Sequence, residues 1–204
     1  MAGPLGEALP LNGWENFYVI VGSSAAALTG LTFIVITISA EANIANTPAA
    51  RLSGLRAFIT PIAVHFCAAL LVSLLLSTPR LTATSLAVCL GVLGVAGIGY
   101  CARVVYWMLK LFVNYKPFAS DWIWNAILPP LGYLGLLIDA ALLPRHPPAG
   151  LYLVAAMTVL LLFIGIHNAW DVVAWVTTER HARKYHSRRA NAESGDSAQN
   201  DSAR

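Results

Sequence analysis

The sequence has few charged residues. Only 11% of its 204 residues are Asp, Glu, Lys or Arg, whereas 57% are hydrophobic. A typical soluble domain carries about 25% charged residues. A soluble protein with so few charges has too little polar surface to face water. The composition therefore excludes an ordinary soluble domain and indicates a chain whose solvent is lipid.

Paired cysteines and familiar catalytic motifs are also missing. Cys67, Cys89 and Cys101 lie singly in apolar runs, and no CxxC pair is present, which argues against a disulfide framework and a zinc site. There is no nucleophile elbow, phosphate loop, HExxH helix or pair of catalytic carboxylates. The sequence thus predicts no enzyme, no metal site and no cofactor.

Five apolar stretches are each long enough to cross a bilayer, which takes about 20 residues. They lie at about 17–40, 54–77, 83–110, 121–143 and 151–176. Residues 1–15 contain no Lys or Arg, so we expect the first stretch to be a retained span rather than a cleaved signal peptide. The pattern predicts an all-α, polytopic transmembrane helical bundle of about five helices over residues 1–178.

Basic residues predict the orientation, because Lys and Arg in short loops favour the cytoplasmic side. One side of the predicted bundle has only Arg80 and Arg145, together with an acidic N-terminus. We therefore expect the N-terminus outside and the C-terminus in the cytoplasm. The basic residues assigned to the cytoplasmic side are Arg51, Lys110, Lys116, Arg180, Arg183, Lys184, Arg188 and Arg189.

The last 26 residues, 179–204, form a basic and then polar tail that we expect to be disordered. They hold six of the 13 Lys and Arg residues, so the net charge of +3 gives no indication of nucleic-acid binding. The basic part either binds anionic lipid or serves only as a topology signal. The candidate lipid contacts are Arg180, Arg183, Lys184, Arg188 and Arg189.

Small residues recur every four positions in the first span, at Gly22, Ala26 and Gly30. Small side chains at this spacing let helices approach closely in lipid. The pattern predicts a helix-packing seam, which serves either a homo-oligomer or packing within one subunit.

The segment HNAWD at 167–171 places His167 and Asp171 on one face of the fifth span, four residues apart. Ionisable groups inside a membrane are costly and tend to be functional. We expect Arg103 to pair with Asp171, and His65 to lie at the level of His167. These four residues form the predicted polar core or ion pathway.

Two other interpretations of these residues stay open. A buried Arg103–Asp171 pair could simply lock two helices together. Alternatively, His65 and His167 on different helices could ligate a haem iron.

The fourth span contains Pro129 and Pro130, which we expect to kink or break its helix. Asp139 lies near the outer end of the same span. We expect its carboxyl group to reach water.

The opening WENFYVIVGSSAAALTGLTFIVITIS, at Trp14 to Ser39, resembles the start of a family of small bacterial inner-membrane proteins. HNAWD near the end is similar to the same family. Some of its members carry a label as modulators of a membrane protease. The resemblance implies a bacterial inner-membrane protein, and it supplies no catalytic residue.

These patterns favour a homo-oligomeric channel or transporter-like protein for a small ion or protons. The alternative is a non-conducting membrane scaffold or regulator of another membrane complex. A channel needs polar groups at several depths along one path, whereas a scaffold needs a lipid-facing seam of small residues.

Overall fold

A computed structural model describes residues 9, 11–41, 48–111 and 122–202, and the side chains of 36, 38–41, 48–59, 111, 175, 176 and 179–202 lie outside that description. The described chain consists of helices joined by turns and short irregular segments, with no extended strand. Its helices are α1 (Glu15–Glu41), α2 (Pro48–Leu76), α3 (Ala83–Leu111), a π-helical turn (Ile123–Ile127), α4 (Leu128–Leu142) and α5 (Pro147–Ser202).

Four of these helical segments are long and apolar enough to cross a membrane: Glu15–Val35, Ala83–Lys110, Ile123–Leu142 and Pro147–Ala174. The described apolar part of α2, Thr60–Leu76, is shorter. Large apolar side chains face outward along the bundle, as Phe33, Val92 and Phe163 do at 65%, 66% and 58% exposure. In lipid such a surface is solvated rather than exposed to water. The prediction of an all-α helical bundle is confirmed, and the chain is a multi-pass membrane protein.

The helices pack in the spatial order α1, α2, α5, α4, α3, which differs from their order along the chain. Helix α5 touches α1, α2, α4 and the π-helical turn. Half of its most apolar window is buried inside the protein, compared with about a third or less for the other spans. The centre of the bundle is therefore the helix that contains HNAWD.

A tryptophan marks each end of the bundle, so the two ends are called the Trp14 end and the Trp124 end. At the Trp14 end, the backbone N–H of Leu9 donates to the carbonyl of Leu81, and the Trp14 ring lies 5.0 Å from that of Tyr152. These contacts bring the starts of α1, α3 and α5 together. The opposite end holds Trp124, and which end faces the cytoplasm stays a prediction.

The proline pair acts as the sequence predicts. Pro129 and Pro130 occupy the first turn of α4, and the preceding residues form the π-helical turn instead of continuing an α-helix. Proline has no N–H to donate to the preceding turn, so a wider turn before it is a natural adjustment. In α2, by contrast, Pro61 lies within an unbroken helix.

Helix α5 runs on to Ser202, whereas the sequence predicts a disordered tail from 179. The basic side chains of this segment, like those of Arg51 and Lys116, lie outside the described residues. The domain limits and the orientation inferred from these residues stay predictions.

Candidate functional site

The polar group that the sequence indicates most strongly lies at the Trp124 end. His167 Nε2 is 3.4 Å from Asp171 Oδ2, with the two side chains 31% and 55% exposed. The imidazole stacks on the indole of Trp124, with ring centroids 3.8 Å apart and planes at 25°. The distance is that of an ion pair rather than of a strong hydrogen bond. His167 and Asp171 thus share one helix face as predicted, in a half-exposed position.

Two asparagines extend this polar group toward the interior. Asn168 Nδ2 donates to Asn125 Oδ1 at 3.2 Å, which links α5 to the π-helical turn. Asn168 is buried, and its own Oδ1 has no hydrogen-bond partner in the described part of the chain. The π-helical turn therefore helps to position this polar group, and π-turns often occur at functional sites.

Arg103 lies apart from the other three predicted residues. It is exposed on α3, and its guanidinium carbon lies 5.6 Å from the ring centroid of Tyr100. Helix α3 packs mainly on α4 rather than on α5. The expected Arg103–Asp171 pair is not formed, because α4 lies between these two helices. The sequence alone does not show which helices are neighbours.

His65 lies in the middle of the bundle and is 2% exposed. Its Nδ1 is 3.1 Å from the hydroxyl of Tyr133, which joins α2 to α4. Tyr133 in turn fills a notch on α3, since a Cβ atom at Gly97 would overlap its ring. Tyr133 is not predictable from the sequence as a partner of His65, because nothing in the spacing of the two residues shows that they meet.

The two histidines contact α4 and its preceding turn nine residues apart, at Tyr133 and Trp124. At about 1.5 Å per residue this is roughly 13 Å along the helix. This distance separates Tyr133 from Trp124 and not the two imidazoles. His65 adjoins Phe66, and His167 is two residues from Gly165. Phe66 and Gly165 are in contact, so the expectation of one shared level stays a prediction.

A haem does not fit between the two histidines. Near both of them, a Cβ atom at Gly165 would lie 2.5 Å from Cε1 of Phe66, so α2 and α5 are in direct contact. A porphyrin between these helices has no room there. The bis-histidine haem hypothesis does not agree with this packing.

A third polar group lies at the Trp14 end and corrects one expectation. Asp139 is 0% exposed instead of reaching water, and neither of its carboxyl oxygens has a hydrogen-bond partner among the described residues. The hydroxyl of Tyr18, on α1, is likewise buried without such a partner and lies within reach of the Asp139 charge. An acid inside the apolar run LLIDAALL at 136–143 was the available sequence signal for the burial of Asp139.

The polar contacts thus fall at three levels along α4 and its preceding turn. Asp139 and Tyr133 are six residues apart and Tyr133 and Asn125 eight, or about 9 Å and 12 Å by the helical rise. The first level is Tyr18 and Asp139, the second is His65 and Tyr133, and the third is Asn125, His167, Asn168 and Asp171.

The predicted seam of small residues on α1 is divided between two environments. A Cβ atom at Gly22 would lie 3.0 Å from Cβ of Ser73, so Gly22 packs on α2 within the same chain. Ala26 and Gly30 are exposed, and a Cβ at Gly30 would have nothing within 4 Å. Within this seam, Ala26 and Gly30 remain available for contact with another chain.

Chemically, the three levels offer a carboxyl group, two phenols and an imidazole inside the bundle, with a more exposed imidazole–carboxylate pair at one end. Each of these groups can accept or donate a proton. Within the described residues, no group of three or more His, Cys, Asp or Glu side chains could hold a metal ion. In comparisons with known proteins, the chain matches no family model, no curated protein and no solved structure.

Proposed function

We propose that this membrane protein moves protons or a small cation across the bilayer through the interior of its helical bundle. The observation that carries the proposal is the alignment of titratable groups at three levels along α4 and the turn before it. Groups of this kind inside membranes commonly form proton relays or ion pathways. Such groups at several depths are what a conducting path requires.

The burial of the second level supports this proposal. His65 and Tyr133 bond to each other across two helices, in a position that is closed off from lipid. Histidine changes charge near neutral pH, so it suits proton transfer. Apolar side chains such as Leu136 lie between the levels, and transfer between them requires water or side-chain motion.

Assembly into a homo-oligomer is part of the proposal. Ala26 and Gly30 leave an open, small-residue surface on α1 that permits close approach of a second helix. We also propose a bacterial inner-membrane location and binding of the basic tail to anionic lipid, on the resemblance and charge pattern described above.

The test is ion and proton flux into liposomes that contain the purified protein. Wild type should give flux above empty liposomes, and His65→Asn, Tyr133→Phe and Asp171→Asn should each lower it. Thr37→Val is the matched control, because Thr37 is exposed on α1 and its hydroxyl donates to the carbonyl of Phe33 in the same helix. Flux equal to that of empty liposomes for protons, Na⁺ and K⁺ would contradict the proposal.

A non-conducting scaffold or regulator is the second candidate function. The exposed positions Ala26 and Gly30 favour it, because a partner helix can pack there as readily as a second copy. Ala26→Leu and Gly30→Leu should then abolish co-purification of a partner from native membranes. A scaffold predicts this loss without any flux, whereas a homo-oligomeric channel predicts loss of self-association together with loss of flux.

A further inference from the structure

Asp139 is a buried acid whose two carboxyl oxygens have no polar contact in the described residues. The side chain is 0% exposed, and a Cβ atom at Gly150 would lie 3.0 Å from its Oδ1. Helix α5 thus packs against the carboxyl group at Gly150, where there is no side chain to contact it. An ionised carboxylate left without a partner in such surroundings is strongly disfavoured, so its charge must be neutralised.

No basic side chain among the described residues forms an ion pair with Asp139. Arg145 and His146, the basic residues nearest in sequence, are exposed. The Arg145 guanidinium donates through Nη1 to the carbonyl of Ala141 at 2.7 Å. The described ion pair, His167–Asp171, lies at the other end of the bundle.

Neutralisation by a metal cation requires more oxygen ligands than this place supplies. Hard cations such as Mg²⁺ and Ca²⁺ take about six or more oxygen atoms. The atoms that meet Gly150 beside the carboxyl belong to Leu143, and the described chain has no acidic or ligand cluster there. A proton, in contrast, needs only one carboxyl oxygen.

The Tyr18 hydroxyl is a second buried polar group toward this end of the bundle. Its residue is 1% exposed, and the hydroxyl has no hydrogen-bond partner among the described residues. Tyr18 is one turn inside the start of α1 at Glu15, and Asp139 is one turn inside the end of α4 at Leu142. The pair is therefore close to water at the Trp14 end.

We propose that Asp139 holds a proton at neutral pH, exchanges it with water at the Trp14 end, and makes the proton the species that this protein carries. The inference rests on the proposed function and specifies its substrate. Loading forms an O–H bond on one carboxylate oxygen and release breaks it. The proton comes from and returns to water at the Trp14 end, and no electron is transferred.

Infrared spectroscopy of the full chain in liposomes at neutral pH tests this directly. A protonated carboxyl group gives a C=O stretching band that an ionised one does not give. Wild type should show this band, and Asp139→Asn should lose it. Asp171→Asn is the matched control and should keep the band, because it removes a half-exposed carboxyl group at the other end of the bundle and leaves Asp139 in place. Addition of Na⁺ or K⁺ should leave the band unchanged.

Labelling with a hydrophobic carbodiimide, located by mass spectrometry, covers the case in which Asp139→Asn does not fold. In wild type the reagent should label Asp139 in the presence or absence of Na⁺ and K⁺. Absence of the band and the label, or loss of either when Na⁺ or K⁺ is added, would overturn the inference. A protonated Asp139 without any flux contradicts the proposed function. Flux of Na⁺ or K⁺ without the band contradicts this inference alone.

Discussion

The two ends of the bundle hold an aspartate each, in opposite environments. Asp171, at the Trp124 end, is 55% exposed and lies 3.4 Å from His167 on the next turn of the same helix. Asp139, at the Trp14 end, is 0% exposed and has no hydrogen-bond partner among the described residues. The sequence motif draws attention to the first, yet the second is the more unusual group. A recognisable spacing within one helix says little about burial, which depends on other helices.

Replacement of each aspartate by lysine should give the largest difference in stability between the two ends of the bundle. We expect Asp139→Lys to lower the free energy of unfolding by about 3–5 kcal/mol, because it leaves an uncompensated charge in the interior. Asp171→Lys should cost less than about 1 kcal/mol, since an exposed lysine can extend its amine toward the interface. Unfolding of both variants in detergent, followed by circular dichroism, measures the difference. Equal costs at the two positions would mean that Asp139 is not enclosed as described.

The glycine that covers Asp139 should tolerate no side chain. At Gly150 a Cβ atom would lie 2.5 Å from Cδ1 of Leu143 and 3.0 Å from Oδ1 of Asp139. Gly150→Ala should therefore destabilise the protein by about 1–3 kcal/mol through overpacking. Gly99→Ala, where a Cβ would have nothing within 4 Å, should be neutral or stabilise by up to about 1 kcal/mol. A Gly150→Ala protein as stable as wild type in thermal unfolding would refute the close packing at the Trp14 end.

The contact between His65 and Tyr133 lies between the two ends, and its removal should lower the free energy of unfolding by an intermediate amount. Tyr133→Phe removes the hydroxyl that is 3.1 Å from His65 Nδ1 and leaves the ring in place. Hydrogen bonds between membrane helices contribute about 0.6 kcal/mol on average and up to about 1.7 kcal/mol. We expect a loss in this range, and a double-mutant cycle with His65→Phe should yield a coupling energy of the same size. Strict additivity of the two substitutions would argue against the bond.

The exposed pair at the Trp124 end should matter least for stability. Asp171→Asn weakens an i, i+4 interaction on α5, which is worth about 0.2–0.5 kcal/mol. Its effect should also shrink at high salt, because exposed charges are screened. Thermal unfolding at low and high salt measures both quantities. A loss above 1 kcal/mol would show that Asp171 is more enclosed in the membrane than its exposure indicates.

Much of the fold could be predicted because apolar length alone identifies a membrane helix. The predicted boundaries at 83–110 and 121–143 agree closely with α3 and with the segment Ile123–Leu142. The break before Pro129 and Pro130 was also predictable, since it follows from the missing N–H of proline. Such features depend on neighbours within one segment, and these are visible in the sequence.

The arrangement of the polar residues was less predictable. The prediction that His167 and Asp171 share one helix face is confirmed, because it depends only on their spacing within one helix. The expected Arg103–Asp171 pair is not formed, because α4 lies between α3 and α5. The contact of His65 with Tyr133 was not predicted, because it depends on which helices are neighbours. The seam on α1 divides for the same reason, with Gly22 against α2 and Gly30 open.

The length and apolar character of its segments are enough to make this chain a bundle of helices in a membrane. In lipid every backbone N–H and C=O must be bonded within the protein, and long apolar segments can achieve this only as helices. Which faces of those helices point inward depends on how the helices pack together. A membrane helix is apolar on the lipid side and on the protein side, so its periodicity does not identify the buried face. The enclosure of Asp139 beside Tyr18 therefore emerges only when α1, α4 and α5 are packed together.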